Sequence, residues 1–197
     1  DSHAFDFYKI LVSSTQLNKI NEFKYLENEI HNYFKNKIEI EKQSVFKDSE
    51  FIILTNDYTQ KDISLLESLI IELKNKNKKV ILSGHTADYN VLEKPLIDIL
   101  MRSKKILNKE QMEKILFTNL NEKKIKESKK IKKIADKNSV IYLDKLMYAC
   151  DFSKKICFAT DTSNNLINYD KTHISAEGAK FFGNNPYLKN FFKKLKF

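Results

Sequence analysis

Apolar positions along the chain change their period several times, and each change marks an element. Phe51-Ile52-Ile53-Leu54-Thr55 is a short apolar run that stops at Asn56-Asp57, the pattern of a strand buried on both faces. Val80-Ile81-Leu82-Ser83 repeats it and stops at Gly84, and Val140-Ile141-Tyr142-Leu143 gives a third such run. Ile63, Leu66, Ile70 and Leu73 recur at helical spacing, so 62–75 is predicted as an amphipathic helix. Helices are also predicted over most of 5–34, with a loop near Ser13-Ser14-Thr15, and over 92–101, 109–137, 175–182 and 187–195. Ile38-Glu39-Ile40-Glu41 alternates and reads as a short strand.

Buried strands separated by helices imply parallel strands joined by right-handed crossovers, and a sheet covered on both faces. The expected fold is α/β: a three-layer α/β/α sandwich around a mostly parallel central sheet. Ligands in such sheets sit beyond the carboxyl ends of the strands. That rule places Asn56-Asp57, Gly84-His85 and the turn at Ser2 at one rim.

Composition narrows the partners. A chain of 197 residues suits one domain with a sizeable core. Its formal charge is +9, and Arg102 is the only arginine. Arginine is the preferred reader of phosphates and guanine edges, so a lysine-rich chain without it is a poor candidate for nucleic-acid recognition. The abundance of Lys, Asn, Ile and Phe also fits an A+T-rich genome. The other reading of the charge is attraction to anionic surface glycans or membrane headgroups. Lys123 to Lys137 holds eight lysines around Ile125, Ile131, Ile134 and Ala135, which reads as the solvated face of a helix.

Cys150 and Cys157 have no histidine or further cysteine at zinc-site spacing, so neither a metal nor a cofactor is expected. The intervening residues 151–156 are largely polar, and an exposed pair is best explained by a disulfide in an oxidising compartment. No run reaches the ~20 apolar residues of a membrane span.

The chemistry lies at the two ends. Asp170 and His173 stand three apart within Tyr169-Asp170-Lys171-Thr172-His173-Ile174-Ser175-Ala176-Glu177-Gly178-Ala179, and Asp1-Ser2-His3-Ala4 opens the chain. A serine needs a neighbouring base to become a nucleophile, and that base needs a third group to orient it. Ser2, His173 and Asp170 supply the three. The competing reading makes Asp170 or Thr172 a helix cap, although Ser175 already offers one.

These segments resemble a family. Asp1-Ser2-His3 is similar to the Gly-Asp-Ser-His block of SGNH-type esterases and acyltransferases, without its glycine. Asp170, His173, Ile174-Ser175 and Gly178-Ala179 resemble the family's closing Asp-x-x-His-Leu-Ser-x-x-Gly-Ala block. The likeness spans the whole chain and is greatest to the SGNH domains behind multi-pass membrane acyltransferases in bacterial cell-surface O-acetylases, which also tend to carry a short cysteine pair. It implies acyl transfer to a carbohydrate acceptor, with Ser2 as nucleophile, His173 as base and Asp170 as its orienter. It further implies an upstream membrane acyltransferase domain and a periplasmic location, tethered to the inner membrane.

In the same resemblance, Asn56 and the Ser2 backbone N–H form the oxyanion hole. His3, Tyr58, His85 and Tyr89 would line the substrate site. His85 has no acid at a convincing spacing in sequence, which argues against a second catalytic base. The glycine of the family's second block has no counterpart in Glu41-Lys42-Gln43-Ser44, leaving one oxyanion donor unassigned. The nucleophile turn of this fold follows a strand. The expectation is therefore a single domain, 1–197, that lacks its first strand in this stretch and is part of a larger membrane protein. The alternative function is a non-catalytic glycan-binding domain that keeps the fold.

Overall fold

Val80, Ile81 and Leu82 are all buried, yet they serve two different cores. Successive side chains on a strand point to opposite faces, and this strand is covered on both. It is β2 (Lys79–Ser83), the centre of a parallel sheet ordered β1-β2-β3, with β1 spanning Phe51–Leu54 and β3 Ile141–Leu143. The computed structural model describes residues 2–15, 17, 22–26, 30–90, 108–169 and 173–195.

Ile81 packs with Phe7 and Ile10 of α1 (Ser2–Val12). Val80 and Leu82 pack on the other face with Tyr33 of α2 (Ile30–Lys42), where α3 (Ser44–Asp48) follows. Leu66, Ile70 and Leu73 of α4 (Gln60–Asn75) complete that face. Past β2 come α5 (Lys109–Thr118) and α6 (Glu122–Lys137), and past β3 come α7 (Leu146–Ala149), β4 (Cys150–Asp151), β5 (Ile156–Cys157), α8 (Ala176–Gly183) and α9 (Pro186–Lys194). Ile131 and Ala135 of α6 join the α2/α4 core, whereas α8 and α9 join the α1 core. The result is the expected α/β/α layering.

Three local expectations are corrected. Ile38–Glu41 is helical, the end of α2, with Ile40 buried and Ile38 69% exposed. The alternation Ile-Glu-Ile-Glu there sits on a helix that uses only one of the two isoleucines. The predicted helix 109–137 is two helices. Asn119 caps the end of α5, and the Asn121 side chain accepts from the N–H groups of Lys123 and Lys124 to begin α6. Within 5–34, the chain leaves α1 at the turn near Ser13 as expected, but 22–26 is not helical. The helix predicted over 92–101 lies outside the described residues.

Cys150 and Cys157 form a disulfide and pair directly across the β4–β5 hairpin. The sulfurs belong to the core, both cysteines being buried, while residues 152–155 are exposed. Among the described residues, no strand pairs with the outer edge of β1. A cavity of about 480 Å³ runs along that edge, walled by Phe7 and Leu11 of α1, by Phe23 and Tyr25, and by Phe51 and Ile53. All four residues of β1 are apolar yet only half-buried.

Candidate functional site

The carboxyl ends of the three strands deliver Thr55-Asn56-Asp57, His85 and Lys145 to one rim. The first turn of α1 arrives at the same rim. Ser2 is its exposed first residue, and His3 beside it feels the charges of Asp57 and Lys145.

His173 comes from the far end of the chain. Its ring centroid lies 5.8 Å from that of His3 and 5.8 Å from that of Tyr169, on which it stacks. The residue that brings it there is Asp6. From within α1, Asp6 accepts a hydrogen bond from the Ile174 N–H at 3.1 Å and pairs with Lys9 at 2.5 Å. Lys9 in turn donates to the Ile174 carbonyl at 3.4 Å. The closing segment is thus tied to the opening helix across 168 residues of sequence.

Two further features hold it. The Ser175 side chain accepts from Gly178 N–H, capping α8, and donates to the Leu166 carbonyl. A Cβ on Gly178 would stand 2.2 Å from the Ile167 carbonyl oxygen, so only glycine allows this approach. The motif serine and glycine therefore have structural work that fixes the position of His173. Asp170 lies outside the described residues.

Asn56 is 5% exposed, and its side-chain oxygen is buried with no hydrogen-bond partner among the described residues. Unpaired buried polar atoms are uncommon in folded proteins. Tyr58 is placed differently from its expected role. It is 1% exposed and donates its hydroxyl to the Leu54 carbonyl at 2.7 Å, so it packs beneath the rim and does not line it. Tyr89 does reach a small cavity of about 30 Å³ that it shares with His3, Asp6, Thr86, Lys145 and Asn168.

His85 is 4% exposed and sits between two acids. Its Nδ1 is 3.3 Å from Asp57 Oδ1, and its Nε2 is 3.3 Å from Glu127 Oε2. The adjacent imidazole, together with Lys124, which also pairs with Asp57, holds the Asp57 carboxyl well below the usual carboxylate range. Gln60 donates to the other oxygen of Glu127 at 2.7 Å. The acids that sequence spacing did not supply come from the turn after β1 and from α6. No cluster of three or more His, Cys, Asp or Glu able to hold a metal occurs among the described residues.

An α/β/α sandwich around a parallel sheet is the architecture of SGNH hydrolases. The chain belongs to the SGNH domains that occur fused to AT3 domains, whose family model matches residues 1–185. It is similar in fold to the periplasmic domain of a lipopolysaccharide acetyltransferase from Salmonella ser. Paratyphi A (TM-score 0.61, 15% identity, covering 95% of this chain and 78% of that one). It is also similar to an acetyl xylan esterase, AlAXEase (TM-score 0.51, 14% identity, covering 96% and 90%). No curated protein matches the chain. Family and fold place it among enzymes that transfer acyl groups or hydrolyse their esters. No helix among the described residues is long and apolar enough to cross a membrane.

Proposed function

We propose that this chain transfers acetyl groups to hydroxyls of a cell-surface carbohydrate through an acyl-enzyme on Ser2. Ser2 Oγ attacks the acyl carbonyl while His173 takes its proton and Asp170 orients the imidazole. The tetrahedral oxyanion accepts from the Asn56 side-chain amide and the Ser2 backbone N–H. Collapse expels the donor's oxygen with the proton from His173. A sugar hydroxyl, deprotonated by the same histidine, then attacks the acyl-enzyme and releases Ser2. Water in place of the sugar gives esterase activity. The observation that carries the reading is the placement of His173 against the first turn of α1, where Ser2 is exposed.

The disulfide and the periplasmic neighbour support an extracytoplasmic site of action. The AT3 fusion of the family supports an upstream membrane domain that hands over the acetyl group. The edge of β1, which no strand pairs among the described residues, and its apolar cavity support a domain completed from ahead of residue 1. An extended apolar segment laid parallel to β1 would fill the cavity and lead into Ser2 at the rim.

The test is turnover of p-nitrophenyl acetate by the protein with its natural upstream residues. Ser2→Ala is expected to abolish it, and unchanged rates would move the nucleophile elsewhere. A fluorophosphonate probe separates this reading from a glycan-binding module, which would not be labelled.

A further inference from the structure

Lys145 is 1% exposed, yet no carboxylate among the described residues lies within ion-pair distance of its ammonium. Among the described residues its Nζ donates one hydrogen bond, to a neutral group, Thr55 Oγ1, at 2.9 Å. Its Nζ also lies 5.6 Å from the centroid of the Phe7 ring on α1. Burying an ammonium without a close counter-charge costs several kcal/mol even after relaxation. The chain bears 35 Lys and Arg residues, and Lys124, at the same rim, has its carboxylate. The unpaired one sits where the ends of β1 and β3 meet α1, one residue away from Asn56 through Thr55. It also borders the small cavity shared with His3 and Asn168. A costly charge kept at a reaction rim is a mark of function more than of stability.

We propose that Lys145 is a positioning residue of the acyl-transfer site, whose buried ammonium holds the Thr55–Asp57 turn and supplies a fixed positive charge at the rim where the oxyanion forms. The inference rests on the acyl-transfer reading above. Preorganised positive charge in a site shielded from water stabilises the tetrahedral intermediate more than the neutral ester, so its effect falls on kcat. The groups facing it are His3 and Asp6 from α1, Asp57 after β1, Tyr89 after β2 and Tyr148 on α7. Burial lowers the Lys145 ammonium to about 8, against the opposing pull of Asp57 and Asp6. The same charge helps burial to keep His3 below its ordinary value.

Two consequences of opposite sign follow. Activity should fall as pH rises through about 8, because the ammonium is lost. Stability should rise over the same range and up to the ordinary lysine value, because the unfolded chain there binds the proton that the folded chain has released.

The experiment compares the wild type with Lys145→Met and Thr55→Val, reading kcat/KM against pH, Tm, and the His3 imidazole titration by NMR. Methionine matches the volume, and removing an unpaired buried charge is often neutral or stabilising. Lys145→Met is expected to lower kcat by about tenfold to a hundredfold, to abolish the basic limb, to leave Tm unchanged or higher, and to raise the His3 titration. Thr55→Val should keep the limb but lower kcat. A Lys145→Met protein with the wild-type rate and limb overturns the inference. So does one with a lower Tm and normal turnover in its folded fraction. A wild type without turnover, or turnover untouched by Ser2→Ala, overturns the acyl-transfer reading and this inference with it.

Discussion

Two histidines at the same rim differ in what surrounds them. His85 is buried, with a carboxylate at each ring nitrogen and its backbone N–H bonded to Ser128 on α6. His173 is half-buried, between an aromatic ring and another imidazole, and the backbone of its neighbour Ile174 is bonded to Asp6. Each ring nitrogen of His85 stands 3.3 Å from a carboxylate oxygen, and the ring is buried between β2 and α6. Among the described residues, Asp6 near His173 is engaged with Ile174 N–H and Lys9. Under the proposed mechanism the difference teaches that access to Ser2, more than flanking acids, separates a base from a structural histidine.

The sharpest way to break the comparison is to exchange the two histidines' fates. His173→Asn should lower kcat for a small acetyl ester by about 10²–10⁴-fold with little change in Tm. His85→Gln should lower Tm and leave kcat of the folded protein within a few-fold, because it leaves Glu127 buried without its neighbour. If kinetics and melting gave the reverse assignment, the base would be His85. The second prediction sharpens the rim between them. Asn56→Ala should lower kcat by ~10²-fold with KM nearly unchanged, since the amide acts on charge developed in the transition state. Loss of Tm with normal turnover would make Asn56 a turn residue only.

The smallest effect concerns acid stability. Asp57 titrates below its unfolded value, so its contribution is present above the ordinary carboxylate range and is lost as pH falls through the lower, folded value. Melting curves across acid pH should therefore fall less steeply for Asp57→Asn than for the wild type. Equal slopes would mean that the His85 cluster does not hold Asp57 in solution.

The sheet was legible because its strands are unbroken apolar runs that stand out between charged helices. The disulfide was legible from two cysteines and a polar loop, although its sulfurs face inward. Other features lacked a local signal. Asn119-Leu120-Asn121 breaks a helix whose apolar stripe continues on both sides, and only the paired asparagines hint at the two caps. Asp6 reads as one more charge on an amphipathic helix, yet it is 7% exposed and anchors the far end of the chain. Lys145 is one lysine among many, and its burial follows from the meeting of β1, β3 and α1. Such residues matter through partners distant in sequence, which pattern reading along one chain does not see.

The bond between Asp6 and Ile174 also bears on when the enzyme comes into being. A contact spanning 168 residues closes nearly the whole chain into a loop, and contacts of such separation form late because the closure entropy precedes their reward. The opening helix can form early, but it carries its serine without a partner until the last segment has emerged and docked. Under the proposed mechanism, a chain still being made therefore holds no working acyl-transfer centre until this closure forms. Amide exchange at Ile174 during refolding reads that final closure directly.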